Sequence, residues 1–259
     1  MHAPARTSAI ETAIRKANAA GRKALIPYLP CGFPDVTAFW TEIESLDKNG
    51  ADVIEIGVPF SDPAADGPVI EAASQECLER GVTLAKILEG LKARKGAISA
   101  PIVLMGYLNP FHQYGFERFA ADAVAAGVSG CIIPDLPMEE SDEIKTIFKA
   151  NGLDLIPLVG LNTSVERLRA YASDASGFAY FVSVLGTTGD REVLPEEVSA
   201  KLKVAKGIFT VPLALGFGIK SPDQLAAFAE SIDAVIFGSA LIRHLREGKS
   251  AASFMQRWK

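Results

Sequence analysis

The residue best placed to do chemistry in this sequence is Glu55, a carboxylate set inside the apolar run Val53-Ile-Glu-Ile-Gly57. Removing a carboxylate from water is costly unless it is partnered or used. On a β-strand, Val53, Glu55 and Gly57 share one face, and Ile54 and Ile56 the other. Desolvation on such a face raises the carboxyl pKa toward a value at which the group both gives and takes protons. The same run also fits a structural carboxylate tied to a backbone amide or a lysine. A loop rich in Pro and Gly follows, with Asp62 and Asp66 in it. Asp in such a loop is an ordinary turn former. A loop leaving the strand of a buried Glu is equally a place for a partner base.

Other polar groups close apolar runs further along. Asp135 precedes Leu-Pro and either orients a ligand or caps the next turn. Gly216-Phe-Gly218 precedes a helix expected near Ser221, and Gly238-Ser239 opens a short one at 240–246. Glycines let backbone N–H groups approach an anion at a helix N-terminus, which suggests phosphate, although tight strand-to-helix turning explains the same residues. The loop Leu185-Gly-Thr-Thr-Gly-Asp-Arg-Glu192 is polar and Gly-hinged, either a closing lid or a plain surface loop. No lysine sits at a strand end for Schiff-base chemistry, since Lys23 precedes its strand and Lys220 follows its own; His2, His112 and His244 are scattered, so no metal site is expected.

These groups need a scaffold. Short β-like runs recur at 24–31, 51–59, 101–107, 130–135, 153–160, 178–185, 210–217 and 234–239. They are continuously apolar, as strands covered on both faces are. Helical periodicity fills the intervals at 36–49, 84–95, 116–126, 139–150, 165–173 and 223–229, and Gly50, Gly96, Gly127 and Gly152 follow helical runs as stop signals. Ser8 caps an additional N-terminal helix carrying Ile10, Glu11 and Ile14. The expected fold is α/β, a single (β/α)8 barrel over residues 1–259 with an extra N-terminal helix; an open doubly wound sheet is the second choice. In a barrel the strand C-termini carry function, and those are the positions of the groups above.

Composition narrows the classes. With 49% hydrophobic and 22% charged residues the chain is that of an ordinary globular protein. A net charge of -5 argues against nucleic acid as the main partner, no apolar run is long enough to span a membrane, and no secretory signal is expected. Cys31, Cys77 and Cys131 lack disulfide or zinc spacing, which with the rest favours the cytoplasm.

The segment Glu55-Ile-Gly-Val-Pro-Phe-Ser-Asp-Pro-Ala-Ala-Asp-Gly-Pro68 resembles the signature of the tryptophan synthase α-subunit family. Leu104-Met105 through Asn109-Pro110, Ile132-Ile-Pro-Asp-Leu-Pro137 with Glu139-Glu140, Tyr180-Phe-Val-Ser183 and Gly216-Phe-Gly-Ile219 extend the resemblance over essentially the whole chain. It implies a lyase performing the retro-aldol cleavage of indole-3-glycerol phosphate to indole and glyceraldehyde 3-phosphate. Carboxylates alone suffice for such a cleavage when the leaving carbon is electron-rich enough to be protonated first, as indole C3 is. The resemblance implies Glu55 as the acid–base group at C3 and the glycerol hydroxyl, and Asp66 as acceptor of the indole N–H. It places Tyr180 beside Glu55 and the substrate. Phe217, Tyr107 and Met105 would line the indole pocket, while Gly189, Gly218, Gly238 and Ser239 would hold phosphate. Thr188 would help the closing loop meet Asp66, and Asp135 would lie toward the partner. That partner is a β subunit in an α2β2 assembly; pyridoxal phosphate belongs to it, and no cofactor is expected in this chain. Departures from the family pattern stand at Phe33, at Thr187 and at Gly160-Leu161. A free-standing lyase, a sugar-phosphate isomerase using Cys31, and a non-catalytic activator subunit are the alternatives.

Overall fold

Apolar runs that cannot face water on either side form the inner layer of a parallel barrel. The computed structural model describes residues 7–182, 196–216, 222, 225 and 228–258. Its strands are β1 (Ala24–Pro30), β2 (Ile54–Gly57), β3 (Ile102–Met105), β4 (Val128–Ile132), β5 (Asp154–Leu155), β6 (Leu158–Gly160), β7 (Ala179–Val182), β8 (Leu213–Gly216) and β9 (Ala234–Phe237). They pair in parallel in the order β5-β4-β3-β2-β1-β9-β8-β7-β6.

The single strand expected at 153–160 is two. Pro157 has no N–H to give to a ladder, so the strand breaks at Ile156-Pro157. β5 pairs with β4 and β6 with β7, so the two halves hold the opposite ends of the sheet. The Ile156 N–H donates to the Cys131 carbonyl at 2.9 Å, and the Tyr180 N–H donates to the Pro157 carbonyl, also at 2.9 Å. Those bonds bridge the break and close the ladder into a barrel of eight strand positions, as the repeat pattern predicts.

The helices are α1 (Ala9–Ala19), α2 (Val36–Lys48), α3 (Pro68–Glu79), α4 (Leu84–Ala93), α5 (Leu108–Tyr114), α6 (Phe116–Ala125), α7 (Asp142–Asn151), α8 (Val165–Ala172), α9 (Glu196–Ile208), α10 (Ser239–Arg246) and α11 (Ala251–Met255). Side chains of Ser8, Asp35, Thr83, Ser164 and Ser250 accept backbone N–H bonds at the N-termini of α1, α2, α4, α8 and α11. Gly152 closes α7 in the left-handed conformation, φ 83°, which a side chain resists. The segment expected as one helix at 139–150 is a 3-10 turn, Met138–Glu140, followed by α7. α3 and α5 carry weak sequence signals. α3 starts with Pro68 after Gly67 and has no side-chain cap. Pro110 lies in the first turn of α5, where the missing N–H costs nothing. The helix expected at 223–229 falls largely outside the described residues.

α1 covers the end of the barrel where the strands begin. Ile10 and Ile14 are fully buried, and the helix packs on β1 and β4. Arg15 and Asn18 donate to the carbonyls of Thr210 and Asp233, just before β8 and β9. The Ser8 hydroxyl donates to the buried Asp154 carboxylate at 2.5 Å and accepts the Glu11 N–H at 3.1 Å. Ser8 thus links the helix cap to the first residue of β5. Replacing Ser8 with Ala is expected to lower the unfolding free energy by about 1–3 kcal/mol, from a lost cap and a lost donor to a buried carboxylate. Urea denaturation checks this, and an unchanged midpoint would contradict the linkage.

Candidate active site

The opposite end, where the strands finish, gathers the titratable groups. Strand alternation puts Glu55 inside the barrel, 1% exposed, in register with Tyr28 on β1 and Val103 on β3. Neither Glu55 carboxyl oxygen has a hydrogen-bond partner among the described residues. Burial first, and then the negative charge of Asp66, push its pKa up to about 8. Asp66, 6% exposed, sits in the same mouth with Oδ1 also unpartnered. Burial, with Glu71 of α3 as a second cause, pushes it up to about 7. Asp66 is thus a buried carboxyl on a Pro- and Gly-rich loop rather than a solvent-facing one. No amide or lysine among the described residues ties Glu55 down.

The loop carrying Asp66 is held in place from several sides. The Val58 N–H donates to the Met105 carbonyl at 2.7 Å, the Phe60 N–H to the Ser74 hydroxyl at 3.3 Å, and the Ala65 N–H to the Tyr107 hydroxyl at 2.8 Å. The Tyr107 ring stacks on Phe60, centroids 5.1 Å apart. Tyr107 is therefore a clamp on the loop as well as a wall of the mouth. Next to it, the Asp135 carboxylate accepts the Leu108 N–H at 2.8 Å, at the start of α5 rather than in the turn that follows Asp135.

Tyrosine rings fill the mouth over glycines. Tyr180, buried, lies on Gly216: a Cβ built there would meet the Tyr180 hydroxyl oxygen at 2.5 Å. Burial and the charges of Glu55 and Asp66 hold its phenol well above the usual range. Met105 is buried in register with Gly57 and Ile132. Gly238 is the N-cap residue of α10 and Ser239 its first residue, with no side-chain cap bond. Thr188, Gly189, Phe217 and Gly218 lie outside the described residues, as do Thr187 and the rest of the expected closing loop.

Tyr28 belongs to this constellation, although sequence reading gives it no role. It is buried, and its ring lies against Gly57 and Gly238. Only the β1–β2 register, invisible in one sequence, sets it opposite Glu55. Of the departures, Phe33 is a fully buried core residue with the Arg246 guanidinium over its ring at 5.1 Å. Gly160 ends β6, and Leu161 packs against the core. Cys31 is buried and its thiol is pushed up, unsuited to the acid–base role an isomerase would need. Among the described residues no group of His, Cys, Asp and Glu converges to hold a metal ion.

The family model described as tryptophan synthase alpha chain matches residues 14–258. The chain is 60% identical over 252 residues to the tryptophan synthase alpha chain of Solidesulfovibrio magneticus, covering 97% of this chain and 98% of that one. It is 59% identical over 251 residues to that of Nitratidesulfovibrio vulgaris, covering 97% and 98%. Among solved structures it is similar to the tryptophan synthase alpha chain of Legionella pneumophila, with 36% identity, TM-score 0.85 and coverage of 97% and 93%. It also resembles a chain of Mycobacterium tuberculosis tryptophan synthase, with 36% identity, TM-score 0.87 and coverage of 97% and 96%. With a buried carboxyl pair at the mouth of a parallel barrel and relatives of this identity along nearly its full length, the chain belongs to the tryptophan synthase alpha chain family.

Proposed function

We propose that Glu55 and Asp66 carry the reaction of this lyase, the retro-aldol cleavage of indole-3-glycerol phosphate to indole and glyceraldehyde 3-phosphate in tryptophan biosynthesis. The observation that carries the assignment is the pair of buried, unpartnered carboxyls at the C-terminal end of β2 and in the loop behind it. Protonated Glu55 gives its proton to indole C3, which places positive charge on the ring. Asp66, as carboxylate, accepts a hydrogen bond from the indole N–H and stabilises that charge. Glu55, now a carboxylate, takes the proton of the hydroxyl on the carbon attached to C3. The carbon–carbon bond breaks, its electrons restore the aromatic ring, and the hydroxyl carbon becomes the aldehyde. Glu55 ends protonated, ready for the next turnover.

The remaining residues position the substrate. Tyr180, Phe217, Tyr107 and Met105 enclose the indole, and Thr188 brings the closing loop to Asp66. Gly189, Gly218, Gly238 and Ser239 hold the phosphate, where the α10 N-terminus supplies N–H donors and favourable partial charge. Residues 1–259 act as one catalytic barrel domain with no cofactor of its own. Its partner is the β subunit in an α2β2 assembly, and pyridoxal phosphate resides there. A groove beside the Asp66 loop, lined by Pro59, Phe60, Asn109, Pro110 and Gln113, supports that face as the docking side. No helix of the described residues is long and apolar enough to cross a membrane, which is consistent with action in the cytoplasm.

Indole release by the purified chain, with and without a β subunit, tests the reading. Glu55→Gln is expected to cut kcat by about 10²–10⁴ and Asp66→Asn by about 10² or more, with the fold intact. A wild-type rate in Glu55→Gln would overturn the mechanism. The required form has Asp66 charged and Glu55 protonated. The pH profile of kcat/KM should therefore be a narrow bell, rising with Asp66 near pH 7 and falling with Glu55 near pH 8. A plateau extending from pH 5 to pH 9 would contradict it.

A further inference from the structure

We propose a second ligand site in this chain, away from the barrel mouth: a slot between α7 and α8 that takes a small neutral aromatic ring with one hydroxyl or N–H group.

The slot follows from the break in the fifth strand. Where β5 gives way to β6, Ile156 and Pro157 leave the regular ladder, and the helix layer outside them is open. α6 packs on α7 and α8 packs on α9, but α7 and α8 make little contact with each other. Behind that gap lies a cavity of about 80 Å³. One water needs about 10–15 Å³, so the space exceeds a single solvent molecule several times over. Ile133 at the end of β4, both residues of the break, Leu158, Met138 and Tyr171 line it. Two ion pairs span the gap. Arg167 on α8 meets Glu139 of the 3-10 turn at 2.7 Å, and Lys145 on α7 meets Asp174, just beyond α8, at 3.8 Å. They tie the two helices together without filling the space between them.

The chemistry of the lining selects the ligand. Its walls are apolar, and Tyr171 offers an aromatic face. The Ser141 hydroxyl is already engaged, donating to the Met138 carbonyl at 2.6 Å. Lys145 stands between two carboxylates, Asp142 at 3.6 Å and Asp174 at 3.8 Å. The one cation is outnumbered, so the rim repels an anion, and any ion would have to shed its water against apolar walls. A neutral ring pays no such penalty and gains apolar contact. Lys145 lies nearest one oxygen of Asp174, so that carboxylate keeps acceptor capacity at the rim for one O–H or N–H of the ligand.

Methionine labelled with carbon-13 at its methyl group tests this in the whole chain, which has four methionines. Met138 reports the slot, Met105 the barrel mouth and Met255 the core, and Met138→Leu assigns the slot signal. Phenol, neutral at pH 7, should shift the Met138 signal along a saturating curve. Its dissociation constant should be on the order of 1–10 mM, the range open to a ligand of so few atoms. Benzoate, the same ring carrying a charge, should leave the signal in place at equal concentrations. Ala175→Leu, which adds three carbons to the lining, should abolish the saturable shift. A Met138 signal that stays still, that drifts linearly in step with Met255, or that saturates equally with benzoate would overturn the proposal. So would a saturating shift confined to Met105, which would assign phenol to the mouth. An undiminished response in folded Ala175→Leu would also overturn it; should that variant not fold, the wild-type titrations with the two ligands decide alone.

Discussion

The site depends on keeping two carboxyls out of water at one end of a barrel without giving them the partners that would quieten them. Burial alone penalises the charged form of a carboxylate, and two such groups in one mouth penalise it further. Glu55 bears both costs, and Asp66 bears burial together with the charge of Glu71. The rest of the fold has to hold them there: β2 fixes Glu55 by strand alternation, and the loop to α3 is pinned at Met105, Ser74 and Tyr107 so that Asp66 cannot swing out to solvent.

The two ends of the barrel treat buried acids in opposite ways. At the start of the strands Asp154 receives the Ser8 hydroxyl and is part of a helix cap. At the other end Glu55 receives nothing from the described residues. A partnered acid is a structural element whose charge is stabilised by its donor; an unpartnered one is poised between protonation states near neutral pH. That contrast, within one chain and one layer of strands, separates scaffold from chemistry more clearly than burial does, since both acids are nearly inaccessible.

Much of this was legible in the sequence, and the reason differs from residue to residue. Glu55 announces itself because a carboxylate in an apolar strand has few explanations. The barrel follows from the recurrence of doubly covered strands, and the start of α1 from Ser8 at its cap. Asp66 is ambiguous in sequence, because its burial depends on how the loop folds back over the mouth. The break in the fifth strand is written in Pro157, but an apolar run on either side disguises it. α3 and α5 begin without the usual caps and so leave little local trace. Tyr28 stayed hidden because its meaning depends on register with β2 and on the missing side chains of Gly57 and Gly238, which are non-local facts. The clamp between Tyr107 and Ala65 is non-local in the same way.

The central claim concerns one titration. Carbon-13 NMR of the carboxyl carbons in glutamate-labelled protein, with Glu55→Gln to assign the signal, reads the ionisation of Glu55 directly. The account predicts a resonance that titrates near pH 8 and is absent from the variant. A Glu55 resonance that titrates near the ordinary glutamate value of about 4.3 would contradict it.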